Sequence, residues 1–306
     1  MEKVIVIGGP TASGKTKLAI ELAKRINGEI ISADSMQIYK DMDIWTAKPT
    51  KEEQSEVNHY LIDFVSPDKR YSVAVYKKDA MRTIKEILKN GKTPIVVGGT
   101  GLYINSLIYE IEYSDIKIDE KYRAKLESLV EEKGLDYLYN EALKIDEEAT
   151  KKISKNDKKR IERILEIYHD TGKTKTEIEK ESRKKKIPYD YRVFAIDIQR
   201  DILYERINKR VDLMIEDGLI DEVKRLINKY SEFPTAMQGL GYKEVVEYLD
   251  GKTSKEEMIE KIKMETRRYA KRQLTWFRKD KDSIIWINGL DNTEDNVQKI
   301  IKAADL

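Results

Sequence analysis

The sequence predicts an α/β protein: a parallel sheet flanked by helices, interrupted by a mostly helical insertion and followed by a helical C-terminal region. Three observations carry this. Short apolar runs ending in glycine or an acid alternate with a helical pattern, strand–helix–strand, near the N-terminus. From about Glu112 to Asp190 those runs give way to Lys/Glu-rich sequence with a single proline, Pro188. A strand-like segment then returns at Tyr191–Ile198, so the sheet resumes after the insertion.

Val4–Ile7 is a continuous Val/Ile run bounded by glycine, as expected of a central parallel strand covered on both faces. In Lys17–Asn27, Leu18, Leu22 and Ile26 recur every four residues and share one helix face; Asn27-Gly28 is expected to end that helix. Glu29–Ala33, ending at Asp34, and Pro94–Val97, ending in glycines, read as further strands. The expected domains are a core of 1–111 with 191–306 and an insertion, 112–190. The insertion is polarised: residues 112–150 carry net charge −6 and residues 151–186 net +7. After Tyr191–Ile198, a helix over Asp201–Asp217 stops at Gly218. Ser254-Lys255-Glu256-Glu257 has the form of a capping box and opens a long helix with Ile259, Ile262, Tyr269, Ala270, Leu274 and Phe277 inward.

Composition excludes several classes. The chain has 306 residues and a net charge of +2, so it is not uniformly basic. At 40% hydrophobic residues it folds despite 37% charged ones. There is no cysteine, which removes disulfides, thiolate metal sites and Cys nucleophiles. No run approaches the roughly 18 apolar residues of a membrane span, and four apolar residues near the N-terminus are too few for a signal-peptide core of about 7–15. A cytoplasmic, membrane-independent protein is expected.

Gly9-Pro10-Thr11-Ala12-Ser13-Gly14-Lys15-Thr16 fits GxxxxGK[ST] between an expected strand and an expected helix. Glycines let the backbone curl so that N–H groups converge on an anion, and the helix N-terminus adds partial positive charge. Lys15 supplies a full charge, and the Thr16 hydroxyl is placed to ligate Mg²⁺. The motif identifies a di- or triphosphate without saying which. Asp34 ends the second strand run and is expected in the same crevice, as a proton acceptor, a Mg²⁺ partner or a turn residue. Val97-Gly98-Gly99-Thr100-Gly101 brings a hydroxyl to a third strand end, with glycines that imply close backbone approach or a tight turn. Arg206 and Arg210 lie four apart on one expected helix. An anion such as a diphosphate offsets their repulsion; a solvated face explains the spacing equally. Basic tracts at Lys151–Lys186 and Lys261–Lys281 suit a nucleic-acid backbone or solvent. His59 and His169 lack metal-ligand spacing.

These blocks together resemble the tRNA dimethylallyltransferases of bacterial type over nearly the whole chain. The resemblance rests on Gly9–Thr16, Asp34–Tyr39, Thr46-Ala47-Lys48-Pro49, Val97–Tyr103, Asn156-Asp157 with Arg160 and Arg163, Arg210–Met214, Met237–Glu244 and Thr266–Gln273. One departure is Lys158-Lys159, where the family commonly has Pro-Gln. The resemblance implies transfer of a dimethylallyl group from dimethylallyl diphosphate to N6 of the adenosine 3′ of the tRNA anticodon. It implies Asp34 as general base with Thr100 beside the reacting carbon. Gly9, Thr11, Ala12, Ser13, Gly14, Lys15, Thr16 and Arg210 would hold the diphosphate, with Arg206 joined to them by spacing, and Mg²⁺ is the expected cofactor at Thr16. The anticodon stem-loop would meet Asp34, Ser35, Met36, Gln37, Thr100, Arg123, Lys159, Arg160, Ile161, Glu162, Arg163, Gly239, Gly241, Tyr242 and Lys243. A monomer is expected.

The chemistry agrees with that reading. An exocyclic adenine amine is a poor nucleophile and needs a proton acceptor, and diphosphate gains charge as it leaves. Three alternatives stay open from sequence: a kinase that uses the same loop for ATP, a noncatalytic RNA-binding protein, and an adenylate isopentenyltransferase acting on free AMP.

Overall fold

The protein is described here by a computed structural model covering residues 1–111, 119–280 and 283–306. The start of the expected insertion (112–118) and Lys281 of the second basic tract lie outside the described residues. The described chain forms two compact units, Met1–Ile104 with Pro188–Leu306, and Asn105–Ile187.

The first unit is built on a six-stranded sheet. Its N-terminal elements are β1 (Lys3–Gly8), α1 (Lys15–Arg25), β2 (Gly28–Ser32), α2 (Lys51–Glu56), β3 (His59–Tyr60), α3 (Val73–Lys89) and β4 (Thr93–Gly98). Then α4 (Gly101–Ile108) leads to the second unit: α5 (Glu120–Lys133), α6 (Leu135–Ile145), α7 (Glu147–Thr150), α8 (Lys158–Thr171) and α9 (Lys175–Ser182). The first unit resumes with β5 (Asp190–Asp197), α10 (Arg200–Glu216), α11 (Leu219–Lys229), α12 (Tyr242–Leu249), α13 (Lys255–Phe277), β6 (Ile284–Asn288) and α14 (Thr293–Ala304).

The strand order is β3-β2-β4-β1-β5-β6, every pair parallel. The uninterrupted apolar runs follow from this, because β1, β4 and β5 each lie between two strands with helices over the faces. One face is sealed by Leu18 and Leu22 of α1 and Val297 and Ile300 of α14, packed on Ile5, Ile7, Ile30 and Ile196. A second apolar cluster joins Ile38, Tyr39 and Met42 to Val211, Leu219, Val223, Tyr242, Val245, Met258 and Ile262. The second unit has its own core, including Leu126, Leu138, Tyr139, Ile161, Ile164 and Leu165.

Three local expectations are revised. Helix α1 ends at Arg25 with Ile26 as its C-cap, Asn27 takes the left-handed conformation (φ 50°), and Gly28 already opens β2. The Ile284–Ile287 run forms β6, an edge strand that the sequence reading did not assign, although its four apolar residues are a strand signal. On α13 the buried stripe is Met258, Ile262, Thr266, Ala270, Gln273 and Phe277, whereas Ile259, Tyr269 and Leu274 are only partly covered. Two polar residues therefore stand in that stripe. No described helix is long and apolar enough to cross a membrane.

Candidate active site

Beyond the C-terminal ends of β1, β2 and β4 lies a cavity of ≈ 600 Å³. Parallel sheets place ligands at that edge, where neighbouring strands lead their connections apart. The phosphate-type loop forms one wall. Gly14 has φ 88° with open space around it, so glycine is demanded there by backbone conformation, and it caps α1 without any side-chain hydrogen bond. The helix N-terminus is thus left open to an anion. Inside the loop, the Ser13 hydroxyl donates to the Pro10 carbonyl at 2.8 Å and the Lys15 ammonium to the same oxygen at 2.5 Å.

Lys15, Asp34 and Arg210 converge on this cavity. Burial lowers the Lys15 ammonium to about 8; the Asp34 carboxylate opposes that shift and the Arg210 guanidinium adds to it. Burial likewise lowers Arg210, with Asp34 opposing. Two desolvated cations facing one carboxylate leave positive charge uncompensated, the condition an anionic ligand relieves. Burial also pushes Tyr269 up to about 12, so its hydroxyl stays protonated near neutral pH.

The loop after β2 is an Asx turn. Asp34 Oδ1 accepts from the amides of Met36 (2.8 Å) and Gln37 (3.3 Å), which leaves the second carboxylate oxygen outside the turn. Next to it, Thr100 Oγ1 accepts from the Ser35 amide at 3.0 Å, and the Thr100 amide donates to the Ala33 carbonyl. Gln37 braces the opposite wall: its Nε2 donates to the carbonyls of Thr46 and Ala47. Buried Glu222 holds the same wall from behind, accepting from the amides of Asp43 and Ile44 and from the Tyr242 hydroxyl.

The glycines after β4 answer to close approach. A Cβ on Gly98 would lie 2.2 Å from the Ala33 carbonyl oxygen, and one on Gly101 would lie 2.3 Å from the Trp276 ring. Helix α13 is thus laid directly on this turn.

Of the expected site residues, Thr11, Ala12, Ser13, Gly14, Lys15, Thr16, Asp34, Ser35, Met36, Gln37, Arg210 and Gly239 line the cavity. Gly9 lies behind the loop against Ser13 and Ile196, and Thr100 reaches the site through Ser35. Arg206 is not brought there: it is exposed and off the lining. Four helical residues advance about 6 Å and overshoot a full turn by about 40°, enough to carry one of two such arginines past the rim. Tyr242 is fully buried against Glu222, and Gly241 packs on the Trp45 ring, so neither side presents itself to a large ligand. Lys243 is half-exposed beside Glu244.

In the second unit, Ile161 is fully buried in the core and Glu162 sits in a shielded position where burial raises its carboxyl pKa, with Lys158 opposing. A contiguous block 159–163 on α8 covers more than one turn and must straddle inner and outer faces. Arg160 is exposed beside Asp157, Arg163 sits 3.4 Å from Glu166, and Arg123 makes two hydrogen bonds to Glu166. The sequence reading assigned no role to the lining residues Trp45, Thr46, Lys48, His59, Thr266 and Gln273, several of which fall within blocks it had already singled out.

The chain matches the family model described as IPP transferase over residues 37–280. It is 54% identical to a tRNA dimethylallyltransferase of Acetivibrio thermocellus over 99% of this chain and 96% of the relative. It is 52% identical to a tRNA dimethylallyltransferase of Thermoanaerobacter sp. over 98% and 96%. The crystal structure of the full-length tRNA isopentenylpyrophosphate transferase from Bacillus halodurans superposes with a TM-score of 0.74 at 42% identity, covering 100% of this chain and 97% of that one. A eukaryotic dimethylallyltransferase captured acting on tRNA superposes with a TM-score of 0.79 at 32% identity, covering 98% and 78%. A family model spanning most of the chain, with relatives more than half identical along nearly all of it, shows that this chain belongs to the tRNA dimethylallyltransferase (IPP transferase) family.

Proposed function

We propose that the chain transfers a dimethylallyl group from dimethylallyl diphosphate to N6 of the adenosine 3′-adjacent to the anticodon in tRNA, releasing diphosphate, and that it works as a cytoplasmic monomer. The observation that carries this reading is the convergence of an anion cradle, two desolvated cations and a carboxylate on one cavity.

In this reading the loop amides, Lys15 and Arg210 bind the diphosphate and stabilise the charge it gains as the C–O bond breaks. The adenine amine attacks the allylic carbon, the new C–N bond forms, and Asp34 takes the proton that the amine sheds. Thr100 borders the reacting carbon. The Thr16 hydroxyl lines the cavity and is the side chain that would hold a Mg²⁺ ion. Such an ion would supply neutralisation of the charge that the leaving group gains. The target base must leave its stack, at a cost of a few kcal/mol offset by backbone and stacking contacts. On α8, Lys159 and Arg160 are exposed and Arg163 is partly exposed beside Glu166, and these three would meet the anticodon arm.

The deciding experiment incubates the chain with undermodified tRNA and dimethylallyl diphosphate and digests the product for nucleoside mass spectrometry. N6-dimethylallyladenosine is the expected product. Phosphate transfer from ATP with no prenylated nucleoside would replace this reading with a kinase.

A further inference from the structure

We infer that Gln273 is a positioning residue that locks the phosphate-binding loop to the Gly99–Thr100 turn, so that the diphosphate cradle and the reacting atoms keep one geometry. The inference rests on the proposed reading of the cavity.

Gln273 is 6% exposed and stands in the buried stripe of α13. A polar side chain in such a stripe is tolerated only when its hydrogen bonds are met. Its Oε1 accepts from the Thr11 amide at 2.9 Å and its Nε2 donates to the Gly99 carbonyl at 3.0 Å. One partner is an N–H and the other a C=O, so the orientation of the carboxamide is set by its surroundings. The approach is close: a Cβ on Gly99 would lie 2.1 Å from Nε2. The absence of a side chain at Gly99 is what admits the clamp.

The two ends of the clamp serve different parts of the site. Thr11 belongs to the loop that lines the cavity. Gly99 precedes Thr100, whose hydroxyl accepts from the Ser35 amide, next to Asp34. Tyr269, one turn earlier on α13, interacts with both Thr100 and Gln273. A single carboxamide therefore ties the leaving-group end to the end that holds the carboxylate. Neither a carboxylate nor a hydrocarbon can replace it, because the position needs one acceptor and one donor on the same planar group.

The test uses the full chain, measuring kcat and KM for the donor at saturating tRNA across about pH 5 to 8, with Tm recorded for each variant. Gln273→Met is expected to lower kcat/KM for the donor by about 10- to 100-fold, with both KM and kcat affected. Gln273→Glu supplies a signature that a merely structural role would not. Ionised, it has no donor for the Gly99 carbonyl; protonated, it restores both bonds. Burial beside a carbonyl raises a Glu carboxyl above its usual value of about 4.3, into the measured range. The ratio of variant to wild-type activity should therefore rise as pH falls. A Gln273→Met enzyme within about twofold of wild type in kcat/KM, or a Gln273→Glu profile parallel to wild type, overturns the inference. If the wild-type chain transfers nothing to tRNA, the proposed function falls; binding of inorganic diphosphate by the same variants over the same pH range would still decide the clamp by the same criteria.

Discussion

The Tyr242 hydroxyl donates to Oε1 of Glu222 at 2.8 Å in the interior of the first unit, while Oε2 of the same carboxylate accepts from the amides of Asp43 and Ile44. One buried acid thereby joins the wall that carries Trp45–Lys48 to the start of α12. Its place opposite three donors explains why a charge is tolerated at 2% exposure.

Glu222→Ala leaves those three donors without a partner. At about 1–3 kcal/mol for each unsatisfied group, and less than additively, the loss should reach about 3 kcal/mol or more. Thermal unfolding should show a Tm drop of about 6–12 °C, at roughly 2–4 °C per kcal/mol. Glu222→Gln, which keeps an acceptor for the two amides and lets the tyrosine hydroxyl accept instead, should lose less than half as much. Equal losses would show that charge rather than bond geometry holds this wall.

Donor binding should depend on pH through Lys15. In the free protein this group loses its proton near pH 8, whereas a bound diphosphate favours the charged form. Binding above that pH then takes up a proton, and affinity should weaken by up to about tenfold per pH unit. Titration calorimetry with inorganic diphosphate at several pH values checks this. Lys15→Ala should bind at least about tenfold more weakly and lose the dependence. The stability sign is opposite. The folded value lies below the ordinary 10.5, so the unfolded chain holds more protons between about 8 and 10.5, and the penalty for burying Lys15 is relieved as pH rises through that window.

Asp34→Asn should preserve the fold, because an asparagine Oδ1 can accept the same two turn amides that Asp34 Oδ1 accepts now. Transfer should nevertheless fall by roughly 10²–10⁴, the range for loss of a general base, with little change in diphosphate affinity. Rescue by excess Mg²⁺ would move Asp34 to a metal-holding role, and near-normal turnover at saturating tRNA would remove it from the proton transfer.

The α8 residues should separate by face. Reversing charge at Arg160 and Arg163 together should weaken tRNA binding and flatten the log–log salt slope by about 2, at roughly 0.9 per phosphate contact, without altering diphosphate binding. Ile161→Ala should instead cost about 2–5 kcal/mol of stability in the second unit, because its side chain is fully buried. A shallow, unchanged slope in the double variant would mark those arginines as solvated partners of Asp157 and Glu166.

The sequence by itself determined the strands β1, β2, β4 and β5, the phosphate-type loop and the family. Each of these depends on local pattern: a buried parallel strand is a continuous apolar run, and a phosphate cradle is glycines at fixed offsets before a helix. Tertiary structure decided what local pattern leaves open. Arg206 and Arg210 share a spacing yet only Arg210 reaches the cavity, and Tyr242 and Ile161 fall within recognisable blocks yet point into cores. The glycines at 99 and 101 give no sign in sequence of which element needs the space; it is α13, more than 170 residues away, through Gln273 and Trp276. Contacts at such separation arise only when the chain closes on itself, so the residues that hold the site together are the ones a linear reading sees last.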